Sequence, residues 1–126
     1  MLPEIEMEIL NEYGPNSLLL KVGEHRVILD AVELDELVEQ LSALRSDILP
    51  ETPSEPSPTH QYVIETAPHW QTACNPLLDG LIVFLRHSGY GWAGFGMPRA
   101  SIERLAEIIA PFVAPPAAIT TRRVHI

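Results

Sequence analysis

The stretch VILDAVELDELVEQLSAL, residues 27–44, has a counterpart later in the chain, FGMPRASIERLAEIIAPF, residues 95–112. Both begin with the alternation typical of a strand and continue with the three-to-four spacing of an amphipathic helix. Their apolar positions agree at a constant offset of 68 residues: Val27 with Phe95, Leu29 with Met97, Leu34 with Ile102, Leu37 with Leu105, Leu41 with Ile109, and Leu44 with Phe112. A strand followed by a helix is therefore predicted twice.

The similarity extends upstream into two further predicted strands. Residues 18–22 match 81–85 at an offset of 63, and Ile5 and Met7 match Tyr62 and Ile64 at an offset of 57. The growing offset places the extra residues of the second copy in two loops, 66–80 and 86–91. Each copy is thus interpreted as a β-β-β-α unit.

These units predict an α+β fold in a single domain, 1–126. We expect two pseudo-symmetric β-β-β-α units that form one antiparallel sheet with both helices on one face. The predicted boundaries are 1–49 for the first unit, 50–59 for a Pro-rich linker, 60–114 for the second unit and 115–126 for a tail.

The linker and the tail have distinct compositions. Residues 50–58 hold four prolines in nine positions, a composition typical of an extended, semi-rigid spacer. Such a spacer allows the units to pack side by side or to exchange between protomers. The end of the chain, Ile119 to Ile126, is β-prone and basic, and it is predicted as an edge strand.

Local signals in the first unit are clear. Gly23 and Glu24 predict a type II′ hairpin turn, which sets Leu20 opposite Val27. Asp30 followed by Glu33 is a capping box and predicts the start of a helix. The outer face of this unit, with Lys21 among its side chains, is expected to be solvated.

Charge is distributed unevenly along the chain. Residues 1–59 carry thirteen acidic and three basic side chains, while residues 60–126 carry four acidic and five basic ones. The halves therefore have net charges of −10 and +1. This balance argues against a nucleic-acid binder, which needs a basic face. The asymmetry has two interpretations. The opposite charges attract the two halves, or two protomers, to each other, or the acidic side chains simply keep the first helix solvated.

The cellular context is inferred from cysteine content and hydropathy. The single cysteine, Cys74, excludes an intramolecular disulfide and suits a reducing compartment. The first residues lack the basic and apolar regions of a signal peptide, and no apolar run is long enough to cross a bilayer. We expect a soluble cytoplasmic protein with no membrane partner.

The second unit differs from the first on its outer face. Where the first unit places charges, the second is expected to carry Ile82, Phe84, Arg86, Trp92, Gly94 and Gly96. A contiguous apolar patch of this kind usually marks a contact. There are three alternatives for what covers this patch: the protein's own 66–80 or carboxy-terminal segment, a second copy in a homodimer, or a foreign protein or ligand.

The loop 66–80 is the most individual stretch of the sequence. Aromatic rings supply contact area and amides supply direction, which is typical of recognition loops; a simple lid is the alternative. The candidate interface residues, taken together, are His69, Trp70, Asn75, Ile82, Phe84, Arg86, Tyr90, Trp92, Gly94 and Gly96.

Catalytic signals are weak. Gly89 to Gly94 spells the dinucleotide-binding pattern, but strand-like residues continue beyond it to Met97, and no parallel βαβ context follows. His69, Cys74 and His87 offer a thiol and bases, or metal ligands, at spacings that support neither role. No cofactor, metal site or catalytic residue is therefore predicted.

Two functional hypotheses follow. The first is a small, acidic, non-catalytic protein-interaction module, acting as a homodimer or as an adaptor, chaperone or inhibitor-like partner of another protein. The alternative is a small enzyme or ligand-binding protein with a pocket between loop 66–80 and the hairpin 86–97. His69, Cys74, Arg86 and His87 would supply its polar groups.

Overall fold

The structure, a computed structural model, describes residues 4–12 and 16–113. Its fold is α+β, with three antiparallel strands and then a helix in each half of the chain. The elements are β1 (Ile5–Leu10), β2 (Ser17–Val22), β3 (His25–Leu29), α1 (Ala31–Ser46), β4 (Trp70–Ala73), β5 (Gly80–His87), β6 (Gly91–Pro98) and α2 (Arg99–Val113). The chain divides into unit 1, Met1–Val63, and unit 2, Ile64–Ile126.

The predicted single sheet is not confirmed, because the six strands form two separate three-stranded sheets, β1-β2-β3 and β4-β5-β6. Each strand pairs with the next one along the chain through a short connection within its own unit. Short hairpin connections fix pairing locally, whereas joining the two sheets requires a ladder across the long segment between α1 and β4.

The hairpin registers agree with the sequence prediction. Leu20 lies opposite Val27 and Leu18 opposite Leu29. Gly23 adopts a φ of 60° at the first central position of the turn, a conformation that favours glycine. The capping box is also confirmed: the Asp30 side chain accepts from the Glu33 N–H at 2.8 Å, and the Glu33 carboxylate accepts from the Asp30 N–H at 3.1 Å.

The first strand of unit 2 lies in a different place from the one expected. Tyr62 and Ile64 were expected in this strand, but residues 61–66 are irregular and exposed apart from half-buried Glu65, and β4 is formed by Trp70–Ala73. The loop 66–80 therefore contains a strand. One edge of β5 pairs with Trp70–Ala73. These residues therefore form the first strand of the second sheet in place of Tyr62 and Ile64.

The second hairpin has a three-residue loop, Ser88 to Tyr90, between β5 and β6. Gly91 follows it with a φ of 79°, the left-handed residue that closes many three-residue hairpin loops. Helix α2 starts directly after β6, as predicted. The tail strand predicted at 119–126 lies outside the described residues.

Burial is sparse within both units. Among the described residues one hydrophobic side chain is buried, Leu19 in the central strand of unit 1, at 7% exposure. It lies between Glu8 and Ile28, on the face that also carries Lys21. The faces expected to form the core are only partly covered: Leu20 and Val83 are half-buried, whereas Val27 and Phe95 are exposed. The candidate interaction surfaces therefore lie on these sheet faces.

Within the described residues, no helix has the length and hydropathy needed to cross a membrane.

Candidate interaction surfaces

The register of unit 2 sorts its side chains onto two faces of one sheet, because successive strand residues point to opposite sides. We call them the glycine face and the Trp70 face. The glycine face consists of Gln71, Ala73, Gly80, Ile82, Phe84, Arg86, Trp92, Gly94, Gly96 and Pro98; the Trp70 face consists of Trp70, Thr72, Leu81, Val83, Leu85, His87, Gly91, Ala93, Phe95 and Met97.

Six of the ten predicted interface residues come together on the glycine face. Ile82 lies opposite Gly96, Phe84 opposite Gly94, and Arg86 opposite Trp92. The register therefore places these six residues on one face. Whether it contacts a partner stays a prediction.

The two glycines accommodate side chains of the same unit. A Cβ on Gly94 would lie 2.8 Å from Cε1 of Phe84, so the phenylalanine ring lies directly over this glycine. A Cβ on Gly96 would lie 3.3 Å from Cδ2 of Leu78, a residue of the connection between β4 and β5. The 66–80 segment thus covers part of the glycine face, which favours self-covering there.

The Trp70 face exposes two large aromatic side chains, while its other apolar positions, including Leu81, Val83 and Met97, are half-buried. Trp70 on β4 is 66% exposed, and Phe95 on β6 is 53% exposed. Leu85 lies on β5, the strand between them, and is also exposed. None of the ten positions of this face is an Asp, Glu, Lys or Arg. Trp70 was predicted as a recognition residue of a loop; it lies instead on strand β4, where the ladder fixes its backbone.

Helix α2 adds a second apolar surface to unit 2. Its amphipathic stripe includes Leu105, Ile109 and Phe112, all exposed, with Phe112 at 88%. The start of the helix is held to the connection between β4 and β5: Nη2 of Arg99 donates to Oδ1 of Asp79 at 2.9 Å, and the Arg99 N–H donates to the Asp79 carbonyl at 2.9 Å. The hydrogen bond and charge of Arg99 lower the pKa of Asp79 below its ordinary value.

Unit 1 carries an equivalent apolar surface, which we call the Met7 face. Its positions are Ile5, Met7, Ile9, Leu18, Leu20, Val22, His25, Val27 and Leu29. Met7 is 58% and Ile9 67% exposed, and Val22 and Val27 are also exposed. Helix α1 contacts β2 and β3, yet the second half of its stripe, including Leu41 and Leu44, stays exposed.

The tip of the second hairpin holds a polar cluster that the sequence did not reveal. The Glu65 carboxylate accepts from both the N–H and the hydroxyl of Ser88, and Nε2 of His87 lies 3.7 Å from it. Nδ1 of His87 accepts from the N–H groups of Gly89 and Tyr90. Glu65 is 23 residues from Ser88, in an irregular segment, so no periodicity signals the pairing.

This cluster anchors the irregular segment before β4 to the hairpin. The hydrogen bonds from Ser88 lower the pKa of Glu65, and the charges of His87 and Arg86 act in the same direction. A carboxylate with a lowered pKa in the folded state stabilises that state above its ordinary pKa. The stabilisation is lost as the pH falls through the lowered value, so the anchor is intact at neutral pH.

The polar groups of the enzyme hypothesis do not converge. The carbonyl of His69 accepts from the Arg86 N–H, so His69 lies near the His87 end of the sheet. Cys74 follows the other end of β4, and at about 3.4 Å per strand residue its Cα is roughly 17 Å from that of His69. A thiolate and its base must be within hydrogen-bond reach. This spacing does not support a Cys–His dyad.

The remaining predicted residues have structural roles at turns. The Asn75 side chain accepts from the Leu77 N–H at 2.9 Å, and the Tyr90 ring lies 4.5 Å from the His87 ring, centroid to centroid. Within residues 4–12 and 16–113, no group of three or more His, Cys, Asp or Glu side chains is placed to hold a metal ion.

Comparison of the chain with protein-family models, with curated proteins and with solved structures finds no match.

Proposed function

We propose that this chain is a non-catalytic protein-interaction module that works as a homodimer, two copies meeting through the Trp70 face. The observation that carries the proposal is the burial of a single hydrophobic side chain, Leu19, among the described residues. Folding must offset a conformational entropy cost of about 1–2 kcal/mol per residue, chiefly by burying apolar surface. A chain that leaves its sheet faces open needs a partner to cover them.

Aromatic side chains of the Trp70 face and of the exposed stripe of α2 together supply about half of the area that a standard interface needs. Aromatic side chains bury about 150–250 Å² each, so the exposed parts of Trp70, Phe95 and Phe112 come to roughly 400 Å². A standard interface buries about 800 Å² per partner. Leu85 and the exposed stripe of α2 add to the aromatic contribution.

Charge also favours self-association through unit 2. The second half of the chain has a net charge of +1, from four acidic and five basic side chains, so two copies of it repel each other little. The face itself carries no Asp, Glu, Lys or Arg side chain. A second copy is available wherever the chain is made, and a two-fold contact uses the same patch on both sides.

We also infer that the units are copies of one β-β-β-α element. Both have antiparallel strands in sequence order and a helix directly after the third strand, and matching leucines, Leu18 and Leu81, lie opposite Leu29 and Met97.

An exposed free thiol, Cys74, is compatible with the reducing cytoplasm, where we propose that the protein works.

The mass of the unmodified protein in solution tests the proposal. Sedimentation equilibrium is expected to give twice the 14.0 kDa of one chain, because the open faces are covered only in the assembly. A mass of one chain over the whole accessible concentration range would refute the homodimer.

A further inference from the structure

We propose that the Met7 face of unit 1 binds an amphipathic, positively charged helix of another protein. This surface belongs to the other unit, and the inference does not depend on the homodimer. Met7, Ile9, Val22 and Val27 of this face are all exposed. The face carries no Asp, Glu, Lys or Arg, so an apolar stripe can lie on it without desolvating a charge.

The charge of unit 1 selects the partner. All thirteen acidic side chains of residues 1–59 are exposed, against three basic ones. Within the described part of unit 1, one ion pair forms, Lys21 with Glu6 at 3.8 Å. Most of these carboxylates thus have no counter-charge in their own unit, and they set up a negative field around the apolar face.

The carboxylates also occupy the borders of the Met7 face. Glu24 lies in the β2–β3 turn, and Oε2 of Glu4 lies 3.9 Å from the position of a Cβ on Gly23. Lysine or arginine side chains that flank an apolar stripe would meet these groups. Electrostatic complementarity of this kind raises association rates and suppresses wrong partners.

The same charge argues against a second copy on this face. Two first halves meeting would bring net charges of −10 together, and like charges across an interface oppose binding. The near-neutral second half has no such penalty. The two halves therefore favour different partners, a second copy on unit 2 and a cationic segment on unit 1.

The length of β1 suits one docked helix. Helix α1 contacts β2 and β3, and Leu18, Leu20 and Leu29 are half-buried. A docked helix would therefore lie along β1, where Met7 and Ile9 are exposed. Six residues of β1 span about 20 Å, which a helix covers in about 13 residues. An apolar stripe laid into an apolar surface is a recurrent recognition mode.

A designed peptide probe tests this inference on the full chain. The probe is a fluorescein-labelled leucine–lysine helix with leucines at i, i+3, i+4 and i+7; its control replaces every lysine with glutamate. Fluorescence anisotropy is expected to report saturable binding of the lysine peptide alone, weakening as sodium chloride is raised. No binding of the lysine peptide, or equal binding of both peptides, would overturn the proposal.

Two isoleucines separate docking on the Met7 face from unspecific attraction. Ile9 lies on this face at 67% exposure, whereas Ile28 lies on the opposite face at 52%. Ile9→Asn is expected to weaken peptide binding at least tenfold. Docking would then bury a polar amide, which costs free energy, where it otherwise buries an apolar side chain. Ile28→Asn makes the same change in chemistry and charge, and it is expected to leave binding unchanged.

The outcomes are decisive in both directions. Equal loss in the two variants, or no loss with Ile9→Asn, would overturn docking on the Met7 face. Circular dichroism compares their secondary structure, and Met7→Gln provides a second change on the same face if Ile9→Asn is unfolded. Phe95→Glu on unit 2 is expected to leave peptide binding intact, which separates this inference from the homodimer.

Discussion

Phe95→Glu is expected to convert the dimer into a monomer, whereas Trp92→Glu is expected to leave it assembled. The two aromatic residues belong to the same strand and are equally accessible, 53% and 50% exposed, but they lie on opposite faces of the sheet. In a two-fold dimer each copy contributes the altered residue, so two carboxylates would be desolvated at the contact. We expect the dissociation constant to rise at least about a hundredfold, equivalent to roughly 3 kcal/mol.

This pair is informative because its members control for each other. Both substitutions remove one aromatic ring and add one negative charge, so general effects on solubility and net charge are matched. Sedimentation velocity measures the assembly, and circular dichroism measures the fold. Dissociation by Trp92→Glu alone would place the contact on the glycine face, and assembly by both variants would remove unit 2 from the interface.

Gly80→Ala is expected to lower the free energy of unfolding by about 3 kcal/mol or more. A Cβ at this position would lie 2.0 Å from the Met97 carbonyl oxygen and 2.9 Å from Cα of Pro98. Both are backbone atoms at the end of β6, and α2 starts immediately afterwards, so neither atom can move without displacing the strand or the helix.

Gly89→Ala is the matched control for this change. The nearest atoms to its Cβ belong to the His87 ring at 3.4 Å, an ordinary contact, and we expect an effect within about 1 kcal/mol. Urea unfolding followed by circular dichroism compares the variants at one protein concentration, because the stability of a dimer depends on concentration. Equal stability of both variants would contradict the close approach of β5 and β6 at Gly80.

Sequence patterns predicted those parts of the fold that local chemistry determines. The turn at Gly23 and the cap at Asp30 each depend on residues a few positions apart, and the turn gave the register of Leu20 opposite Val27. Period-two side-chain alternation and turn length are sufficient to fix such pairings.

Non-local features were not predictable in the same way. Tyr62 and Ile64 alternate like a strand, but the free edge of β5 pairs with Trp70–Ala73, a segment without clear alternation. The pairing of Glu65 with Ser88 spans an irregular segment, and the openness of the predicted core faces depends on tertiary packing. Gly94 and Gly96 were predicted as interface residues, but they accommodate Phe84 and Leu78 of their own unit.

The fluorescence of Trp70 as a function of protein concentration tests the central claim most directly. The chain has two tryptophans, so Trp92→Phe leaves Trp70 as the sole indole emitter without changing the proposed contact. We expect blue-shifted emission in the dimer and a shift to the red on dilution, in parallel with the fall in mass. Emission typical of a water-exposed indole at the highest concentration, or emission that stays constant while the mass falls, would contradict it.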